Sequence, residues 1–233
     1  FPQILTDDVV GESATGLFAD ANEMLNTIID EKWLTAKAVI GLWPVERDGD
    51  DLIVEGQRLP MLRQQVKKRD GKAHMCLADF IDPAGDWLGG FAITAGHGID
   101  AKIAEFQANH DDYSDILLKA LADRLAEAMA ERMHAHVRRD LWAYAPDEQL
   151  DNAALIREQY RGIRPAPGYP ACPDHTLTDS PFDLLGRTEQ RDSRAVTVES
   201  LSERYHIDRP HAKRVAAMAR ALYIGIVTDT GKF

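Results

Sequence analysis

The sequence predicts an α+β fold, an antiparallel twisted sheet flanked by helices. Three observations predict it. Strand-like runs fill the first half of the chain, and helical periodicity takes over after His97. The strand runs come in pairs around short turns such as "DGDD" and "IDPAG". No strand–helix–strand alternation is present, which argues against a parallel sheet.

The elements follow in order. Glu12 to Glu31 reads as an amphipathic helix, with Leu17, Phe18, Ala21, Met24, Leu25 and Ile28 at three- and four-residue spacings. "AKAVIGLW" (36–43) has strand length, and "LIVEG" (52–56) pairs with it across the 48–51 turn. "AHMCLADF" (73–80) and "DWLGGFAITAG" (86–96) predict a second strand pair. Gly89 and Gly90 within it call for a bulge or a close backbone approach.

A short helix is expected over "GIDAKIAEFQANH" and a long one from Asp111 to Trp142. Its expected apolar stripe is Ile116, Leu117, Leu121, Leu125, Met129 and Met133. Asp111 and Asp112 at its start and Arg138 and Arg139 near its end suit the helix dipole. "NAALIREQY" (152–160) predicts a third helix. Beyond Leu177 the chain changes character, with two short helices around Asp208-Arg209-Pro210 and a terminal strand within "YIGIVTDTGKF".

Of the 233 residues, 45% are hydrophobic and 28% charged, as in an ordinary globular chain. The formal charge of −11 argues against nucleic-acid binding, which needs a lysine and arginine excess. No apolar run reaches the roughly 18 residues of a membrane span. No signal peptide is read, and Cys76 and Cys172 alone make no disulfide scaffold, so a reducing cytoplasm is expected. Opening on Phe1-Pro2 rather than methionine implies that the chain is cut from a longer polypeptide.

The chemistry-bearing residues concentrate in the second half. Asp123, Glu127 and Glu131 stand four apart on one helix face, with Lys119 placed to partner Asp123. That strip is a solvated face or a docking strip for a cationic group. "RPAPGYPACPDH" (164–175) holds four of the eleven prolines, so its backbone is fixed and it fits neither a helix interior nor a central strand. An arginine at the head of such a loop can clamp a carboxylate or phosphate, or it is a surface residue in a structural turn. Tyr169 follows Gly168 and could turn into a pocket. Cys172 and His175 have metal-ligand spacing, but two ligands are too few for a zinc site. No phosphate loop or dinucleotide fingerprint is present, and Asp79 and Asp82 accompany no nucleophile–base pair.

"REQYRGIRPAPGYPACPDHT" (157–176) resembles the signature of the activation domain of cobalamin-dependent methionine synthase. "DDVVGESATGLFADANEML", "VIGLWPVERDGDDL", "LRQQVKK", "CLADFIDPAGDWLGGFAITAG" and "HDDYSDILLKALADRLAEAMAE" resemble the family in the same order. The resemblance implies a module over residues 1–176, part of a methyltransferase, that binds S-adenosylmethionine and supports reductive methylation of cob(II)alamin. The isolated chain would not be active alone. Cobalamin would be held by a partner domain, and flavodoxin or an equivalent reductase would supply the electron.

Carried over position by position, the resemblance implies that Arg164 pairs with the ligand carboxylate. Ala166 and Tyr169 contact the ligand, and Glu127 and Glu158 lie near its positive groups. Asp123 meets the cobalamin-binding domain. Two departures accompany it. An Asp-Trp-Thr-Pro-type motif that precedes this region in the family is not found. Residues 177–233 do not continue the family pattern; within them "VTVESLSERYHIDRPHAKRVAAMARAL" (196–222) more weakly resembles helical segments of the exopolyphosphatase and guanosine-pentaphosphatase family. The rival readings are a ligand-free domain that docks on a cobalamin-binding domain, and a hydrolase related to the tail.

Overall fold

The computed structural model describes residues 2–69, 71–178, 183–186 and 222–228. Among the described residues, five strands form one antiparallel sheet, with β1 (Thr35–Asp48) at its centre. On one side of β1 lie β2 (Asp51–Val54) and β3 (Gln57–Pro60), and on the other β4 (Asp86–His97) and β5 (Leu222–Thr228). β1 and β2 join at Gly49-Asp50, as the "DGDD" turn predicts. β2 and β3 join at Glu55-Gly56, where φ is +53° and +76°. Positive φ at both central residues is the two-residue hairpin geometry that matches strand twist. Sequence reading missed β3 because Glu-Gly is a weaker turn signal than Asn-Gly. The terminal strand predicted in the tail is β5.

Strand alternation sends side chains to two separate cores. Val39, Trp43 and Val45 of β1 and Leu88 and Ala92 of β4 pack with Leu52, Val54 and Leu59 on one face. Ala38 and Ile40, with Phe91 and Ile93, face the other core. Gly41 and Gly90 are cross-strand partners beneath Trp43. A Cβ on Gly41 would lie 2.2 Å from the indole and one on Gly90 2.9 Å. The glycine pair is therefore a close approach and not a bulge; the β1–β4 register runs on unbroken through Gly89 and Gly90.

The expected strand over 73–80 is a correction. Those residues form a loop ending in a 3-10 turn, Leu77–Phe80, and β4 pairs with β1 and β5. Cys76, Leu77 and Ala78 are apolar because they fill the first core, not because they join the sheet. A short apolar run cannot distinguish the two cases.

Among the described residues, the helices α1 (Gly11–Glu31), α2 (Ile99–Ala108), α3 (Asp112–His136) and α4 (Asn152–Ile156) accompany the sheet. Asp111 caps α3, its carboxylate accepting from the Ser114 amide at 3.0 Å. The buried stripe of α3 differs from the expected one. Of the expected stripe Leu117 is buried, but Leu118, Ala122, Ala126, Ala130 and His134 make up the rest of the inward face, whereas Ile116 is 67% exposed. Alanines let the helix lie close to the sheet, and Met129 and Met133 fill its flank. After His136 the chain widens into a π-helical turn, Val137–Leu141. α4 is shorter than predicted, and in α1 Leu17 and Phe18 lie on an exposed face. The two tail helices predicted around residues 208–210 lie outside the described residues.

Candidate functional site

The proline-rich loop is fixed by its own backbone before any side chain is considered. The Tyr169 amide donates to the Ala166 carbonyl at 3.0 Å, the Cys172 amide to Tyr169 at 2.9 Å, and the Gly168 amide to Cys172 at 2.8 Å. Gly168 has φ +96°, and a Cβ there would lie 2.2 Å from His175 Cε1. The imidazole is stacked directly on the glycine. Asp174 accepts from the Thr176 amide and hydroxyl, closing the far end of the loop. Cys172 is 1% exposed in the same core as Cys76. Burial pushes its thiol up to about 12, so it is packing material and not a nucleophile.

Neighbouring residues look in opposite directions where the chain enters this loop. Ile163 packs into the core that holds Cys172, and Arg164 reaches α3. Arg164 Nη2 donates to Glu131 Oε1 in a tight ion pair; the arginine side chain is 8% exposed and the glutamate 45%. The planar guanidinium is thus delivered by a rigid loop and held against a rigid helix.

Behind this pair lies a buried polar cluster that sequence reading missed. Arg138 is fully buried, and its Nε and Nη2 donate to both carboxylate oxygens of Glu148 at 2.6–3.1 Å. Its guanidinium lies 4.4 Å from the Tyr160 ring centroid. His134, also fully buried, meets that ring edge-on at 4.7 Å. Burial, helped by Arg138 and Arg164, pushes the His134 imidazole down to about 2, so it stays neutral. A histidine and an arginine four and eight residues beyond Ala130 were the available signal. They continue the inward stripe of α3 with polar groups.

The structure brings some predicted residues together and not others. Arg164 meets Glu131, the lowest member of the acidic row. Asp123 and Glu127 are instead bridged by Arg124, at 2.9 Å each. Lys119 pairs with Asp115 at 2.7 Å and not with Asp123, which corrects the expected pairing. The strip is half-buried rather than fully solvated; Asp123 is 21% exposed. Glu158 is exposed, at φ +53°; burial pushes the Tyr160 hydroxyl above its ordinary value, and the Glu158 charge adds to that shift. Ala166 is buried, and Tyr169, 54% exposed, stands out from the loop. Asp79 belongs to another cluster, on Arg63 and Arg47. Among the described residues, no group of three or more metal-ligating side chains converges. No described helix is long and apolar enough to cross a membrane.

The fold and the site together define an α+β domain built around an arginine held between a rigid loop and a helix. A profile of vitamin B12 dependent methionine synthase, activation domain, matches residues 1–201. A crystal structure of the MetH reactivation domain bound to AdoHcy is 42% identical in sequence. Its TM-score is 0.76 over 100% of this chain and 70% of that one. The chain belongs to the family of vitamin B12-dependent methionine synthase activation domains, and so to a domain of a methyltransferase.

Proposed function

We propose that the chain binds S-adenosylmethionine against the 164–172 loop and positions it for reactivation of a cobalamin-dependent methionine synthase. The observation that carries this reading is Arg164, a buried guanidinium on a proline-fixed loop. It stands in a chain whose 42%-identical relative was solved with AdoHcy. The guanidinium takes the ligand carboxylate. Ala166 and Tyr169 contribute backbone and ring, and Glu127 and Glu158 supply negative charge for the ammonium and sulfonium. Asp123 lies on the surface that meets the cobalamin-binding domain. The methyl group is the ligand's, and a reductase of the flavodoxin kind supplies the electron. This chain's own work is binding and orientation.

Calorimetry with S-adenosylmethionine on the wild type and Arg164→Ala tests the reading. A charge-assisted hydrogen-bonded pair contributes about 1.5–3 kcal/mol, so binding should weaken by roughly ten- to a hundredfold. Equal binding by both proteins, or none by either, overturns it.

A second reading, a domain that docks on a cobalamin-binding domain without a ligand, is favoured by one observation. Glu131 already engages Arg164. Co-purification with a cobalamin domain that S-adenosylmethionine does not alter would support it.

A further inference from the structure

His134 and Arg138 stand one turn apart on the inward face of α3 and its π-helical continuation, and both are fully buried. They hold one ring between them. The Arg138 guanidinium lies 4.4 Å from the Tyr160 ring centroid. The His134 imidazole meets the same ring edge-on, at 4.7 Å with 85° between the planes. Arg138 is itself held by both carboxylate oxygens of Glu148. Neither ring nitrogen of His134 has a hydrogen-bond partner among the described residues. Burying an imidazole that way costs stability, and such costs gather at functional sites. Two buried groups, each fixed on its own element, lock the phenol ring and so the position of its hydroxyl.

That hydroxyl lies on the Arg164 side of α3. Glu131, which holds Arg164, and His134, which holds Tyr160, are three residues apart, a spacing that makes them neighbours on one helix face. Burial raises the phenol pKa most; Arg164 lowers it, and Glu158 and Glu131 raise it, so these charges reach the same oxygen. The hydroxyl has no hydrogen-bond partner among the described residues. A phenol ordinarily finds one when its ring is packed into a protein.

We infer that Tyr160 is a further ligand-binding residue: its hydroxyl donates to the carboxylate that Arg164 takes, and His134 and Arg138 act through its ring as positioning residues. The inference rests on reading Arg164 as the carboxylate clamp. A carboxylate offers about four lone-pair sites and a guanidinium fork fills two of them, so a second donor fits. A neutral phenol suits this ligand better than a second cation. It adds a donor for the carboxylate without repelling the ammonium and sulfonium.

Calorimetry on the whole chain tests this, with wild type and Arg164→Ala measured alongside. Tyr160→Phe keeps the ring and loses the donor. Its affinity for S-adenosylmethionine should fall roughly tenfold without a lower thermal midpoint. Decarboxylated S-adenosylmethionine should bind wild type and Tyr160→Phe alike. His134→Leu should weaken S-adenosylmethionine binding about threefold in the wild-type background and no further in the Tyr160→Phe background. A merely structural histidine would weaken both alike. His134→Phe, which keeps an aromatic edge on the ring, should restore the affinity. The inference is overturned if Tyr160→Phe binds S-adenosylmethionine as wild type does while Arg164→Ala binds weakly; the clamp then stands without the phenol. It is also overturned if Tyr160→Phe weakens the decarboxylated ligand by the same factor. Equal binding by wild type and Arg164→Ala removes the clamp reading itself.

Discussion

Arg164 and Glu131, 33 residues apart in the chain, form an ion pair that ties the proline loop to α3. A ligand carboxylate that takes Arg164 must share it with Glu131 or displace it. Glu131→Gln removes the competitor and also the apo counter-charge. The variant should lose about 1–3 kcal/mol of stability in chemical denaturation. Its affinity for S-adenosylmethionine should rise relative to wild type, because the ligand carboxylate then no longer competes with the Glu131 carboxylate for Arg164. Calorimetry showing weaker binding would mean that Glu131 orients Arg164 instead of competing for it.

Arg138 and Glu148 are a second, deeper pair, with side chains 0% and 10% exposed. Arg138→Met should cost about 3–5 kcal/mol, since it strands a buried carboxylate and removes the cation beneath Tyr160. Arg138→Met/Glu148→Leu should recover much of that loss. Urea midpoints of the two single variants and the double variant give the coupling directly.

His134 makes stability depend on pH. Its folded pKa, about 2, lies far below the ordinary 6.5. Between those values the unfolded chain binds a proton that the folded chain does not, so stability falls as pH drops below about 6.5. The local slope is at most about 1.4 kcal/mol per pH unit, and no contribution is expected above that window. His134→Phe keeps the ring and should flatten the acid limb of a Tm-against-pH profile. An unchanged limb would assign the effect to carboxylates instead.

Gly168 is required twice, by its φ of +96° and by the His175 ring against it. Gly168→Ala should destabilise the chain by about 1–3 kcal/mol and weaken ligand binding through the distorted loop. Adding His175→Ala relieves the collision but not the backbone strain, so thermal melts should show partial recovery.

The fold class was legible because turns and periodicities carry it. "DGDD" marks the first hairpin and the 3.6-residue period marks α3. What failed had physical causes. The 73–80 run is buried by a core and not by a sheet, and alternation cannot distinguish these. The inward face of α3 is alanine, which hydrophobicity ranks below the leucines and methionines beside it. The proline loop declared its rigidity and its arginine. It could not declare Glu131 as Arg164's partner, because only the docking of loop on helix selects one of three equally spaced acids. Tyr160, Arg138 and Glu148 converge through that same docking, across 22 residues that include a π-helical turn and an exposed loop.

β5 pairs with β4 from Leu88↔Thr228 to Thr94↔Leu222. During synthesis β4 leaves the ribosome long before its outer neighbour does. In that interval the row of amides and carbonyls along Leu88 to Thr94 stays open, a template for any passing strand. A fragment ending before residue 222 keeps that edge permanently. Such truncations should aggregate even though the loop and helix around Arg164 are intact. Expression trials of this domain should therefore place the C-terminal boundary after Thr228.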